Sequence, residues 1–168
     1  MPQGRMAEWQ ESFRIDSLDT DWDDMPATPG VYLIRRRRPV NRVGGTDARG
    51  ILYIGQSVNL RERLWQFWYA NHHTASVYLW CNPILARGVL GRRCSSHKDV
   101  DDALGRLFAK IATPVPRRQL KRAERALLYQ YVRRYGELPP LNFVFPGKYV
   151  RCPGEARLKW ADAGLLAV

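Results

Sequence analysis

The sequence predicts a small mixed α/β (α+β) domain, and the spacing of its apolar residues is the main observation behind this. Three short runs, 31–34, 51–54 and 106–112, have the branched, aromatic or alternating composition of strands. Two longer stretches, 60–70 and 117–135, repeat apolar residues at helical spacing. The length of 168 residues fits one domain.

Turn signals and helix caps separate these elements. The first strand follows the turn at 25–30, and the second follows residues 35–50, whose arginines and glycine breaks predict a long basic hairpin loop. Asn59 and Glu62 then form a typical helix start. Pro114 and Pro116 close the third strand ahead of the second helix.

The remaining segments are assigned more coarsely. Residues 74–86 are compatible with helix or strand, and 87–102 are interpreted as a polar loop. A carboxyl-terminal tail, 146–168, is expected to carry a short helix near 156–166. We therefore divide the chain into an acidic lead segment (1–25), a central domain (26–145) and this tail, which belongs to the same single domain.

The charge distribution favours polyanionic partners. Lys and Arg number 27 against 16 Asp and Glu, a net charge of +11, and the excess lies outside the acidic segment 1–25. Three widely spaced cysteines do not form the even framework of a secreted disulfide-rich domain. No signal peptide or membrane span is recognised, so we expect a cytoplasmic, nucleoid-associated protein without membrane partners.

Two charged residues fall on the apolar faces of the predicted helices. Arg63 lies within the stripe of the first helix, and Glu124 lies within the stripe of the second. A buried charge without a partner costs several kcal/mol. The two residues therefore either form a salt bridge with each other or face a functional cleft, and helical spacing alone does not distinguish these alternatives.

Two tyrosines are expected to lie close to Arg63 and Glu124. Tyr32 and Tyr53 lie on adjacent predicted strands, each near a glycine that would let a ligand approach the backbone, Gly30 and Gly55. Two phenols, a guanidinium and a carboxylate together suit phosphodiester hydrolysis. The carboxylate would hold a divalent cation, the guanidinium would stabilise the transition-state charge, and a phenol would orient water or move a proton.

These residues belong to stretches that resemble the signature of the GIY-YIG nuclease superfamily. The stretches are Gly30-Val31-Tyr32 and Tyr53-Ile54-Gly55-Gln56-Ser57-Val58-Asn59-Leu60-Arg61-Glu62-Arg63. The downstream helix and turn of the family are matched by Glu124, Leu127, Leu128, Tyr131, Pro139 and Asn142. The resemblance spans about residues 26–145.

The resemblance implies a three-stranded antiparallel sheet flanked by helices, which cuts double- or single-stranded DNA with one Mg²⁺ or Mn²⁺ ion. Glu124 would ligate the metal and Arg63 would stabilise the transition state. Tyr32 and Tyr53 would activate and position the water, and Asn142 would support the site. A homodimer would suit a symmetric cutter.

One position departs from the family pattern. Four residues after the helix arginine, many members have a histidine or tyrosine assigned to proton transfer, whereas this chain has Phe67. Either Tyr32 takes over this task or catalysis is weakened. The adjacent His72 and His73 are candidate substitutes, although paired histidines in a polar stretch are more often simply exposed.

A DNA-binding surface is expected beside the site. Basic and polar residues of the hairpin loop and the signature would contact phosphates: Arg35, Arg36, Arg37, Arg38, Arg42, Arg49, Gln56 and Arg61. The sequence thus favours a metal-dependent DNA endonuclease for restriction, repair or mobile elements. The alternatives are a catalytically weak or inactive nucleic-acid-binding protein of the same fold, and an interaction subunit that docks through its acidic segment.

Overall fold

The structure is a computed structural model that describes residues 7–10, 12–20, 22–69, 73–92 and 94–143. His72, the tail 146–168 and the helix expected at 156–166 lie outside the described residues.

An antiparallel sheet organises the fold. The three predicted strands are present as β3 (Gly30–Arg35), β6 (Ile51–Ser57) and β7 (Phe108–Thr113), with β3 between the other two. Two short strands, β1 (Glu8–Trp9) and β2 (Phe13–Arg14), pair with the outer edge of β7. The sheet therefore has five strands among the described residues, where the resemblance implies three, and β6 forms one edge.

Five α-helices accompany the sheet in the described part of the chain. The two predicted helices are α1 (Leu60–Trp68) and α5 (Leu120–Tyr135). The others are α2 (Thr74–Cys81), α3 (Pro83–Leu90) and α4 (His97–Gly105). The predicted polar loop 87–102 is wrong, because the end of α3 and the start of α4 lie in it.

Each face of the sheet has its own hydrophobic core. Leu60, Leu64 and Phe67 of α1 pack with residues of α2, α3 and α4 on the face that carries Tyr32. The stripe of α5 covers the opposite face, where it packs on Val31, Leu33 and Ile54 of the sheet. The antiparallel α+β class is thereby confirmed, with the two predicted helices on opposite faces of the sheet.

The loop after β3 is folded into a hairpin of β4 (Val40–Arg42) and β5 (Gly45–Asp47). The Asp47 side chain, which is fully buried, accepts hydrogen bonds from the amides of Arg49 and Ile51. It also accepts from the hydroxyls of Tyr131 and Tyr135 at 3.1 and 3.3 Å. One carboxylate thus joins the base of the hairpin to α5.

The acidic amino-terminal segment is part of the core. Besides β1 and β2, it forms the 3₁₀ helix Ile15–Asp19, whose Ile15 and Leu18 are completely buried. Arg61 of α1 donates hydrogen bonds to the carbonyl oxygens of Met25 and Asp23. This segment therefore stabilises the fold through apolar burial as well as carrying charge.

None of the helices in the described ranges is long and apolar enough to cross a membrane.

Candidate active site

Tyr32 and Tyr53 lie on the same face of neighbouring strands. Tyr32 on β3 pairs with Gly55 on β6, and Tyr53 precedes Gly55 by two residues. Side chains two residues apart in a strand point to the same face. The ring centroids of the two tyrosines are accordingly 5.9 Å apart.

Gly55 is needed for this packing. A Cβ atom at position 55 would lie 2.6 Å from Cζ of Tyr32 and 2.6 Å from Cε1 of Tyr53. A Cβ at Gly30 would similarly lie 2.5 Å from the Leu60 side chain. The two glycines therefore admit neighbouring side chains, and their role differs from the expected approach of a ligand to the backbone.

His73 completes the tyrosine cluster. Its side chain is fully buried, and its Nε2 lies 2.9 Å from the hydroxyl oxygen of Tyr32. Its ring is also 5.0 Å from that of Tyr53 and 4.9 Å from that of Phe67, measured between centroids. His73 is thus packed into the site beside Phe67, and the interpretation of it as an exposed residue is wrong.

The backbone fixes the protonation of His73. It caps α2, and its Nδ1 accepts a hydrogen bond from the amide of Ala75 at 3.2 Å. A ring nitrogen that accepts from an amide carries no hydrogen, so Nε2 carries it and donates to Tyr32. Burial and then the positive charge of Arg63 lower the pKa of His73 to about 3, which keeps the ring neutral near pH 7.

Tyr32 is enclosed, whereas Tyr53 is partly accessible. Tyr32 has no exposed surface, and burial, then the nearby Tyr53, raise its pKa well above the ordinary value. Burial and then the charge of Glu124 also raise the pKa of Tyr53, which is half-buried. Tyr53 is therefore the more exposed of the two phenols.

Arg63 and Glu124 approach the tyrosines from opposite faces of the sheet. Arg63 lies on α1 and Glu124 on α5, and both act on the pKa of Tyr53, at the β6 edge. Among the described residues, the two side chains form no salt bridge within 4.0 Å, and Arg63 donates to Oε1 of Gln66 instead. The salt bridge between Arg63 and Glu124, which the helical pattern left as one alternative, is therefore not formed.

Both charges are partly desolvated without being neutralised by direct contact. Burial raises the pKa of the Glu124 carboxyl to about 7, although Arg125, Arg63 and Lys121 act in the opposite direction. Burial lowers the pKa of Arg63, but the two phenols outweigh it, so the net pKa is raised. The site thus contains a guanidinium and a partly desolvated carboxyl group.

An open pocket of about 360 Å³ lies beside Arg63. It is lined by the end of β6 and the first turns of α1, including Gln56, Glu62 and Gln66. Gln56, an expected nucleic-acid contact, therefore lines the same pocket as Arg63. The pocket provides space for a substrate group at the guanidinium.

Asn142, in the turn after α5, is bonded through its side chain to the backbone of β6. Its side-chain oxygen accepts from the Ile54 amide at 2.9 Å, and its side-chain amide donates to the Ile54 carbonyl at 2.8 Å. Asn142 thus pairs with the free edge of β6 next to Tyr53. This contact holds the edge strand in position beneath the tyrosine.

The arginines expected to contact DNA differ in their roles in the fold. Arg36 donates to the carbonyls of Pro39, Gly88 and Val89. Arg42 forms a salt bridge with Glu137 at 3.0 Å and donates to Leu138. Arg61 also donates to the Met25 carbonyl oxygen. Three of the arginines expected to contact DNA therefore form hydrogen bonds within the fold.

The other members of this set lie nearer to solvent. Arg37 and Arg38 are exposed, and the Arg37 guanidinium lies 5.0 Å from the ring centroid of Phe108. Arg35 and Arg49 are half-buried. Burial, then the charge of Arg134, lowers the pKa of Arg49.

No group of three or more His, Cys, Asp or Glu side chains suited to a metal ion occurs among the residues that the structure describes. Glu124 therefore belongs to no such group within the described ranges.

The fold and the site define an antiparallel α+β domain with a tyrosine, arginine and glutamate cluster at one sheet edge. A comparison of the chain with protein-family models, with curated proteins and with solved structures finds no match.

Proposed function

We propose that this chain is a divalent-metal-dependent DNA endonuclease of the GIY-YIG type. The observation that carries the proposal is the arrangement of Arg63 and Glu124. They lie on opposite sides of a tyrosine-bearing sheet edge, close enough to influence the same phenol and yet not ion-paired. A guanidinium that forms no ion pair can bind a phosphodiester, and a carboxylate that forms none can bind the accompanying cation.

Each residue then has a distinct task. Arg63 neutralises charge on the scissile phosphate, and Tyr53 orients the attacking water through its accessible hydroxyl. Tyr32 positions Tyr53, His73 positions Tyr32 through its hydrogen bond, and Asn142 holds the β6 edge. Glu124 is the residue that would hold Mg²⁺ or Mn²⁺, which supplies Lewis-acid stabilisation when bound.

The net positive charge of the protein indicates its substrate and where it would act. A protein with a net charge of +11 and exposed arginines after β3 would associate with DNA in the cytoplasm, at the nucleoid. The substrate we propose is therefore DNA, double- or single-stranded.

The test is cleavage of supercoiled plasmid and of labelled single-stranded DNA with Mg²⁺ or Mn²⁺. We expect nicking that disappears in Glu124→Ala and in Glu124→Gln and persists in Asp102→Ala, which removes an exposed carboxylate from α4. Equal nicking by the wild type and Glu124→Ala would contradict the proposal.

One observation favours a second candidate, a nucleic-acid-binding protein of the same fold with little turnover. Phe67 is fully buried and ionises at no pH, and the neutral His73 has no free nitrogen lone pair to take up a proton. In this case, gel retardation of DNA would occur at concentrations that give no cleavage with either metal.

A further inference from the structure

A second pocket, of about 450 Å³, lies where the chain leaves β3 and enters β7. Its wall contains six arginines, which we call the arginine pocket: Arg14, Arg36, Arg37, Arg38, Arg92 and Arg106. It shares no lining residue with the pocket beside Arg63. It is therefore a separate feature of the molecule.

The arginine pocket combines positive charge with an apolar floor. Leu90, Ala103, Leu107 and Phe108 line it together with the arginines. An apolar, low-dielectric wall strengthens the field of nearby charges relative to a fully solvated surface. The pocket is thus more than an array of independently solvated side chains.

Part of the arginine pocket is held rigidly. The guanidinium of Arg36 donates to the carbonyls of Pro39 and Val89 at 2.6 and 2.8 Å, which ties the loop after β3 to α3. A Cβ on Gly91 would lie 2.8 Å from Nη1 of Arg36, so the absence of a side chain there leaves room for the guanidinium. The pocket is thereby formed before any ligand binds.

The positive charge is poorly balanced. Among the described residues, no Asp or Glu lines the pocket, and the one carboxylate bonded to a lining arginine is that of Asp16, on Arg14. The bonds of Arg36 go to neutral carbonyl oxygens. Burial and the neighbouring charge of Arg38 lower the pKa of Arg36, as expected where guanidinium groups lie close together.

We infer that the arginine pocket binds backbone phosphates of a nucleic-acid strand, as a second contact separate from the scissile phosphate. Guanidinium groups match phosphate oxygens in a bidentate manner, and several of them can neutralise several phosphates at once. Several of its residues directly follow the Tyr32 strand, and we expect one strand of nucleic acid to contact both regions. This inference rests on the proposed function, because it assigns more of the same substrate.

The decisive variant removes charge from the pocket without removing structure. Arg92→Gln/Arg106→Gln alters two exposed arginines that form no ion pair within the described residues. The matched control is Arg118→Gln/Arg133→Gln, which removes the same charge from exposed positions on the α5 side of the sheet. Thermal unfolding of both variants should match that of the wild type.

Binding of labelled duplex and single-stranded DNA is measured by fluorescence anisotropy in EDTA, which prevents cleavage, over a series of salt concentrations. We expect the pocket variant to bind about ten-fold more weakly at low salt and the slope of log K against log salt to fall by about two. The control should change affinity by about two-fold or less. With saturating DNA, the cleavage rate of the control variant should equal that of the wild type.

Three results would overturn the inference. One is unchanged affinity in the pocket variant while the wild type binds DNA, and another is an equal loss in both variants, which would reflect net charge alone. The third is binding of inorganic tripolyphosphate to the wild type that is lost in the pocket variant and is not displaced by DNA. This result would make the pocket a site for free polyphosphate. A wild type that fails to bind DNA at all would instead contradict the proposed function.

Discussion

Nε2 of His73 donates a hydrogen bond to the hydroxyl oxygen of Tyr32 over 2.9 Å. The amide of Ala75 occupies the other ring nitrogen, so His73 cannot release its Nε2 hydrogen without losing its place as the α2 cap. It is consequently a fixed, neutral donor. His73 thus orients the Tyr32 hydroxyl, and in the proposed nuclease it would not exchange protons with the substrate.

His73→Asn separates the two roles of this side chain. Asparagine is a good helix cap, but it is too short to replace the donor to Tyr32. We expect α2 to persist by circular dichroism while cleavage falls about 10- to 100-fold, the usual effect of losing a supporting hydrogen bond. Because His73 is neutral at every working pH, the pH profile of the residual activity should keep its shape, and a shifted profile would contradict this role.

Arg61 and Arg63 are matched controls for each other on α1. Arg63→Ala should reduce the cleavage rate at least about 100-fold, the usual cost of removing a group that stabilises transition-state charge. It should lower the free energy of unfolding by about 1 kcal/mol or less, because this half-buried guanidinium forms no salt bridge among the described residues and donates to the half-buried Gln66. Kinetics with saturating DNA and thermal unfolding of the same preparation measure both effects.

Arg61→Ala should show the opposite pattern. The guanidinium donates to Met25 and Asp23 and lies 5.6 Å from the ring centroid of Trp22. Its loss should lower the free energy of unfolding by about 1–2 kcal/mol and leave the cleavage rate within about two-fold. A large loss of activity in a folded Arg61→Ala protein would show that Arg61 contacts the substrate directly.

The charge of Glu124 makes stability depend on pH. Burial raises its pKa from 4.5 in the unfolded chain to about 7 in the folded one, against the charges of Arg125, Arg63 and Lys121. The folded state therefore holds the proton more tightly. The resulting stabilisation is complete below about pH 4.5 and is lost as the pH rises through 7.

Glu124→Gln keeps the shape of the side chain but cannot ionise. In EDTA at pH 8, we expect it to be more stable than the wild type by about 1 kcal/mol, a value discounted for partial exposure of the group. At pH 4.5 the difference should vanish. Urea unfolding at the two pH values measures this, and a difference that does not depend on pH would show that the carboxyl is not desolvated.

The sequence predicts the parts of this structure that depend on short-range periodicity. The strands β3, β6 and β7 and the helices α1 and α5 follow from apolar spacing. Arg63 and Glu124 stand out because a charge interrupts each stripe. The two missed helices also had local signals, namely Asn82 before Pro83 and the capping box of Ser96 with Asp99.

The remaining features depend on contacts that are remote in sequence. The buried His73 ring is hydrogen-bonded to the hydroxyl of Tyr32, which lies 41 residues earlier in the sequence. No local sequence pattern indicates that pairing. Asp47 lies in a loop-like stretch, and its tyrosine partners follow 84 and 88 residues later. The arginine pocket joins side chains from β2, the loop after β3, the segment after α3 and the carboxyl end of α4, so composition reveals its charge but not its location.

Asp47→Ala should be among the most destabilising single changes in the chain. It leaves two amides and the hydroxyls of Tyr131 and Tyr135 without their acceptor in a buried place. We expect a loss of about 3 kcal/mol in the free energy of unfolding. Asp47→Asn should lose less, because its amide oxygen still accepts. Equal stability of all three proteins in urea would show that the hairpin does not depend on this carboxylate.

The acidic segment offers the last prediction, because its charge and its packing can be tested apart. If it only shielded the basic surface, deletion of residues 1–25 would leave a folded protein that binds DNA more tightly. Ile15 and Leu18 are completely buried, so we expect that deletion to abolish cooperative unfolding, and Leu18→Ala to cost about 3 kcal/mol. Asp19→Asn/Asp24→Asn changes exposed charges alone and should unfold like the wild type. Any tightening of DNA binding in that folded double variant measures the shielding, whereas a deletion protein with wild-type unfolding would show that this segment contributes nothing to the core.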